Sequence, residues 1–284
     1  MSYFEKISES LSDLKTTNIK MYWRTVKHLL KNSSPTYSLP PICAHENDTV
    51  YKFEDQEKAQ LLNDYFCSIA TLDNDNKDIP YMTDRGPGIL TEITVTEQDI
   101  NDIISCLDPQ NASGPDDISH RMLIATKNTI CRPLCKLFNL SVRNKCFPSF
   151  WKLANVIAVF KKSDKSIASN NRPISLLNCV SKIFERTVFK YVFNHISRHK
   201  YIHKLQPGFL PGYCTTHQLV EIYHCIMTAF ENQTPLKLTF CDVGKAFDRV
   251  WIRGLIYKLE KYGVRGTSWN GLKLILLTEN RKLY

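Results

Sequence analysis

Asp242 is the residue of this chain best placed for metal chemistry. It closes a run in which Leu236, Leu238 and Phe240 alternate with Lys237, Thr239 and Cys241. Period-two alternation predicts a strand. A carboxylate at the strand's C-terminal end, just ahead of a helical pattern, can hold a divalent cation against phosphate oxygens. A buried strand whose last Asp caps the next helix would leave the same trace. Two other groups could serve phosphate. Lys161 and Lys162 lie in the basic turn Lys161-Lys162-Ser163-Asp164-Lys165, where lysine offers a point charge to phosphate oxygens. Read for structure alone, that turn is a hairpin with a solvated basic tip. Arg172 sits in Asn171-Arg172-Pro173-Ile174-Ser175-Leu176-Leu177, and a planar guanidinium can bond bidentately and stack. The plain alternative is a surface Arg beside a Pro.

The elements that must position these groups read as follows. Residues 1–31 carry two short helical patterns, the second with Tyr22, Trp23, Val26, Leu29 and Leu30 on one side. Residues 32–50, with Ser33-Ser34-Pro35 and Pro40-Pro41, read as a linker. A helix is predicted over 55–70 from the spacing of Ala59, Leu62, Tyr65, Phe66 and Ile69. The polar stretch 71–90 is the expected domain boundary. Thr96-Glu97-Gln98-Asp99 is a capping box with Asp in the Glu/Gln place, opening a helix through Ile100, Ile103, Ile104 and Leu107. Ser113-Gly114-Pro115-Asp116 is a turn. Two helices follow, the second with Pro133 in its first turn. A strand over 156–160, the basic turn and an extended 172–177 lead into a helix that puts Val180, Ile183, Phe184, Val188, Val192 and Ile196 on one face. Another amphipathic helix carries Leu219, Ile222, Tyr223, Ile226 and Phe230, and a last one ends at Gly263 as a C-cap.

Composition narrows the partners. Lys and Arg number 37 against 28 Asp and Glu, a net charge of +9, which favours a phosphate-rich partner through counterion release. The ten cysteines form no C-x-x-C pair and read as reduced thiols of an intracellular protein. The polar N-terminus is not a signal peptide, and no apolar run reaches the ~20 residues needed to span a bilayer. The expected setting is the nucleus or cytoplasm, with no membrane contact.

Five stretches, in order along the chain, resemble one family. Phe240-Cys241-Asp242-Val243-Gly244-Lys245-Ala246-Phe247-Asp248-Arg249-Val250-Trp251 resembles the first catalytic motif of LINE-type (non-LTR retrotransposon) reverse transcriptases, F-x-D-x-x-K-A-F-D-x-V-W. Only Gly244 departs, standing where Ser is usual. Ala112-Ser113-Gly114-Pro115-Asp116-Asp117-Ile118 is similar to A-S-G-P-D-G-I, with Asp117 for Gly. If that Gly adopts positive φ, Asp is among the better substitutes. Residues 151–164 look like W-K-x-A-x-V-I-P-I-x-K-K-G-D, with Ala158 for Pro and Ser163 for Gly, and the Arg172 segment matches N-Y-R-P-I-S-L-L. Gln206 to Leu219 resembles Q-x-G-F-x-x-G-x-S-T-x-x-Q-L, with Cys214 for Ser and a capping role open to Thr215 or Thr216. The likeness covers about residues 90–284. Trp23, Ala59, Asn63 and Phe66 fit more loosely the spacer that precedes such polymerases.

The resemblance implies an α+β right-hand polymerase fold: a helical N-terminal extension and linker (1–89), fingers (90–230) and a partial palm (231–284). It implies RNA-directed DNA synthesis by two-metal nucleotidyl transfer, with RNA template, DNA primer and dNTP as partners and Mg²⁺ (or Mn²⁺) as cofactor. Asp242 and the carbonyl of Val243 would be metal ligands. Lys161, Lys162 and Arg172 would hold the nucleotide, and Phe247 would crowd a ribose 2′-hydroxyl. Asp248 would be structural. The family's second carboxylate motif, Tyr-x-Asp-Asp, does not occur before Tyr284. The expectation is therefore an inactive fragment truncated within the palm, with a non-catalytic nucleic-acid-binding remnant or an incomplete gene model as alternatives.

Overall fold

In the computed structural model, Thr96 and Asp99 close the capping box that the sequence announces. The Asp99 amide donates to Thr96 Oγ1 at 3.1 Å, and the Thr96 amide donates back to Asp99 Oδ2 at 3.0 Å. The structure describes residues 11–30, 39–45, 48, 50–70, 77–86, 88–244, 246–247, 249–266, 273 and 276. The chain divides into two compact units, Met1–Pro41 and Ile42–Tyr284. That division falls upstream of the polar stretch 71–90.

The first unit contributes helix α1 (Ile19–Leu30), where the Tyr22 and Trp23 rings meet edge-on at 5.2 Å. The second contributes α2 (Asp55–Ala70), α3 (Glu97–Ser105), α4 (His120–Ala125) and α5 (Lys127–Arg143). Strands β1 (Ala154–Phe160) and β2 (Asn171–Leu177) follow, then α6 (Cys179–Arg198), α7 (Thr215–Glu231) and α8 (Ile252–Lys261).

Helices α3 to α6 bury one core. Ile100 and Ile104 of α3, Phe138 of α5, and Ile183, Phe184 and Val188 of α6 are sealed from solvent. Phe138, Phe147, Trp151 and Phe184 pack as an aromatic cluster with ring centroids between 5.1 and 6.0 Å. Such contacts add to the area they bury. Asp99 fastens α3 to α6: Lys190 Nζ donates to its Oδ1 at 2.7 Å, and the Tyr191 hydroxyl lies 2.8 Å from its Oδ2.

Helix α5 begins six residues before Pro133, so the proline lies in its second turn and not its first. The cost is one amide donor, which leaves the Thr129 carbonyl without its usual i+4 partner.

A second, smaller core backs the hairpin. Leu62, Tyr65 and Phe66 of α2 pack with Ile42 and Ala168, and Val156 and Ala158 of β1 lie against them. Residues 42–43 are therefore not linker. Ile42 pairs with Lys52 and Cys43 with Ile167, both residues being almost fully buried.

The polar residues 82–91 tie down α8. The Arg85 amide donates to the Lys261 carbonyl, Leu90 to Gly263 and Arg265 back to Leu90, at 2.9–3.0 Å. Asp84 bridges Lys261 and Arg265, each at 3.1 Å. Gly263 ends α8 with φ +82, as a C-cap glycine should. A methyl group there would stand 1.9 Å from the Gly88 carbonyl oxygen, so glycine is required twice over.

Candidate nucleotide-binding hairpin and active-site segment

Strands β1 and β2 pair antiparallel, with Ile157 opposite Ile174 and Val159 opposite Arg172. Alternation gives the hairpin two faces. Ala154, Val156 and Ala158, with Pro173, Ser175 and Leu177, turn toward the protein. Ile157, Val159, Arg172 and Ile174 turn to solvent. The ladder continues past β1, because the Lys161 amide donates to the Asn170 carbonyl at 2.8 Å. Lys161 therefore continues the solvent face, diagonally adjacent to Arg172. Lys162 begins the exposed tip.

The tip is shaped by Ser163, whose φ is +71, and by Asp164, which accepts from the Ser166 amide at 2.8 Å. That hydrogen bond holds the Asp164 carboxyl below its usual range. Asp117 also has positive φ, +54. At both places the resembling motif has glycine, and here a polar residue takes the same backbone conformation.

The A-S-G-P loop supports the hairpin from behind. A methyl group on Gly114 would stand 2.6 Å from the Asn178 nitrogen and 2.7 Å from the Leu177 oxygen. The turn therefore sits against the junction of β2 and α6 with no room for a side chain.

Asp242 lies elsewhere. The expected strand over 236–242 is not formed: residues 234–243 carry no regular secondary structure, and the helix that follows begins at Ile252. A strand needs a hydrogen-bonding neighbour, and among the described residues the only sheet is β1–β2. Leu236, Leu238 and Phe240 remain exposed, as do Asp242 and Val243. Phe247 is 79% exposed, and its ring meets Phe209 edge-on at 6.0 Å. That contact joins the Q-x-G-F stretch to the Asp242 segment. Lys245 and Asp248 lie outside the described residues, as do most of residues 272–277.

Carboxylate and carbonyl oxygens are the donors a hard divalent cation prefers. Asp242 and Val243 supply that chemistry, but among the described residues no group of three or more His, Cys, Asp or Glu side chains converges to hold a metal. No hydrogen bond or ion pair joins Asp242 to the hairpin cations among those residues. The hairpin register brings Arg172 and Lys161 to one face.

Helix α7 is capped by Cys214, not by Thr215 or Thr216. The Cys214 amide donates to His217 Nδ1 at 3.2 Å, and its Sγ lies 3.6 Å from that nitrogen. The His217 amide, followed by the Thr216 hydroxyl and amide, holds the Cys214 thiol below its usual range.

One signal in the sequence carries more than the net charge. Between Asp117 and Asp164 there is no acidic residue, while nine lysines and arginines occur. Helix α5 lies within that stretch and presents Arg132, Lys136 and Arg143 on one exposed side.

Residues 160–282 match the family described as reverse transcriptase (RNA-dependent DNA polymerase). A probable RNA-directed DNA polymerase from transposon X-element of Drosophila melanogaster is 34% identical over 152 residues, covering 53% of this chain and 17% of that protein. A probable RNA-directed DNA polymerase from transposon BS of the same fly is 31% identical over 166 residues, 58% of this chain and 18% of the relative. The RNA-directed DNA polymerase from its mobile element jockey is 31% identical over 169 residues, 59% of this chain and 18% of the relative. The chain thus spans less than a fifth of the length of these relatives. Over residues 160–282 the chain thus resembles a reverse transcriptase, and over more than half of its length it is similar to RNA-directed DNA polymerases of transposable elements.

Proposed function

We propose that this chain is part of an RNA-directed DNA polymerase, in which the β1–β2 hairpin holds the triphosphate of an incoming dNTP. The observation that carries the reading is the register of the hairpin. It puts Arg172 and Lys161 side by side on an uncovered face, with Lys162 at the tip. An Arg fork and a point charge on one face suit a polyphosphate better than either alone. The inner face is braced by α2 and Ala168, so the cations sit on a supported ribbon and not on a free loop.

In this reading the fold is the fingers and part of the palm of a right-hand polymerase, and RNA template and DNA primer are the other partners. Asp242, with the Val243 carbonyl, binds a divalent cation, Mg²⁺ or Mn²⁺, which when bound neutralises phosphate charge during nucleotidyl transfer. Phe247 borders the sugar of the nucleotide. Fe²⁺ in place of Mg²⁺, with ascorbate and peroxide, tests the metal assignment on the chain itself by cutting the backbone near the ion. Cleavage should centre on residues 240–246 in the presence of dNTP and vanish in Asp242→Asn. Cleavage unchanged by that substitution would refute the role of Asp242.

A second reading has one observation in its favour. Asp242 is exposed, and among the described residues no group of three or more His, Cys, Asp or Glu side chains gathers to hold a metal. A protein that binds nucleic acid without turnover would show the same. It predicts salt-dependent binding of RNA–DNA hybrid with no Mg²⁺-dependent dNTP binding, which separates it from the polymerase reading.

A further inference from the structure

Along the outer side of α6, Lys182, Arg186, Phe189 and Phe193 fall at i, i+4, i+7 and i+11. Those intervals bring the four side chains onto one stripe of a helix, about 16 Å long. Phe189 is 62% exposed, and its ring stacks on that of Phe193 with centroids 5.4 Å apart and planes at 23°. The core does not need this pair. The opposite side of α6 already buries Ile183, Phe184, Val188 and Val192.

The charges beside the rings are mainly basic. Neither Lys182 nor Arg186 forms an ion pair among the described residues. Glu185, the only acidic residue of α6, borders the stripe one turn before Phe189 and has an interaction of its own, and Lys190 is engaged by Asp99.

We propose that this stripe binds a single-stranded nucleic acid, with a base stacked on the Phe189–Phe193 pair and phosphates against Arg186 and Lys182. An aromatic face exposed beside cations is the combination that single strands use. A duplex hides its base faces and would use the cations only. An apolar protein partner would cover the rings but would also desolvate Arg186 and Lys182 with nothing to pair them. The proposal rests on the polymerase reading only for the strand's role, as template approaching the hairpin; its chemistry stands on α6 alone.

The experiment measures binding of a fluorescein-labelled 12-mer oligouridine, the matching oligodeoxythymidine and a 12-base-pair RNA duplex to the full chain by anisotropy. Phe189→Ala with Phe193→Ala should weaken both single strands about tenfold or more and leave the duplex unchanged. Phe189→Leu with Phe193→Leu should weaken them nearly as much, since leucine keeps apolar surface but has no π-face. Lys182→Ala with Arg186→Ala should weaken all three probes and flatten the dependence on salt. An unmodified chain crosslinked to 5-iodouridine RNA should carry the label on Phe189 or Phe193.

Wild-type affinity in both phenylalanine variants would overturn the proposal. So would single-strand binding preserved by leucine and lost with alanine, which marks an apolar contact, or a crosslink mapping elsewhere. Loss of single-strand binding with dNTP binding intact, or the reverse, separates this stripe from the hairpin.

Discussion

The backbone of Gly114 lies against the peptide joining Leu177 to Asn178, so close that a methyl group on Gly114 would stand 2.6 Å from the Asn178 nitrogen. Two motifs more than sixty residues apart in sequence meet there, one a turn and the other the exit of the strand carrying Arg172. The glycine is explained by this approach of one backbone to another.

Gly114→Ala should therefore destabilise the second unit by about 1–3 kcal/mol, the usual cost of forcing extra volume into a packed site. Gly208 is the control: a methyl group there meets nothing within 4 Å. Urea denaturation of the two variants checks this. Equal midpoints would mean that the loop yields without cost.

Asp99 should govern acid stability. Burial alone would raise its carboxyl, but hydrogen bonds from Lys190, from the Thr96 hydroxyl and amide, and from Tyr191 prevail and bring it down to about 2. A carboxyl depressed in the folded state stabilises it above the unfolded value, about 3.9. That stability, on the order of 2 kcal/mol, drains away as pH falls from about 4 toward 2. Asp99→Asn should be less stable at pH 7 and lose less on acidification. Parallel stability–pH curves for the two proteins would contradict the assignment.

The same contact has an alkaline side. Burial, then the Asp99 hydrogen bond, pushes the Tyr191 hydroxyl up to about 12. A raised value means stability that is complete below about pH 10 and lost as pH climbs toward 12. Tyr191→Phe should remove that alkaline loss, read by denaturation at pH 9 and 11. An unchanged slope would place the tyrosine outside the contact.

Cys214 should be the most readily alkylated of the exposed thiols. Its proton is held less tightly than an ordinary thiol's by the donors at the start of α7, and the thiolate is the reactive form. Iodoacetamide below pH 8 should label it ahead of Cys67, Cys106, Cys146, Cys225 and Cys241, all exposed. Peptide mapping reads the order. Cys214→Ser should keep or strengthen the cap, because a hydroxyl is the better acceptor.

Much of residues 90–230 was legible in the residues themselves. The Thr96–Asp99 box, the buried face of α6 and the hairpin around the basic turn all rest on local spacing, and each formed where its spacing placed it. The positive φ at Asp117 was legible as well, because the glycine it replaces in the motif pointed to it, whereas that at Ser163 was not read from the sequence. The misses share another cause. Alternation at Leu236, Leu238 and Phe240 describes a ribbon that could join a sheet, but the neighbour that makes it a strand is not written in those residues. Residues 82–91 look like spacer because they are polar, yet their backbone amides and carbonyls hold α8. Ile42 and Cys43 were masked by prolines beside them. Main-chain pairing at long range leaves no mark on composition.

The hairpin is the centre of the account, and binding of a fluorescent dNTP in the presence of Mg²⁺ tests it most directly. Wild-type chain should bind, Arg172→Ala should weaken binding about tenfold or more, and Lys161→Ala with Lys162→Ala should act in the same direction. Affinity for an RNA–DNA hybrid should change less in all of them. Nucleotide affinity left unchanged by Arg172→Ala would contradict the account.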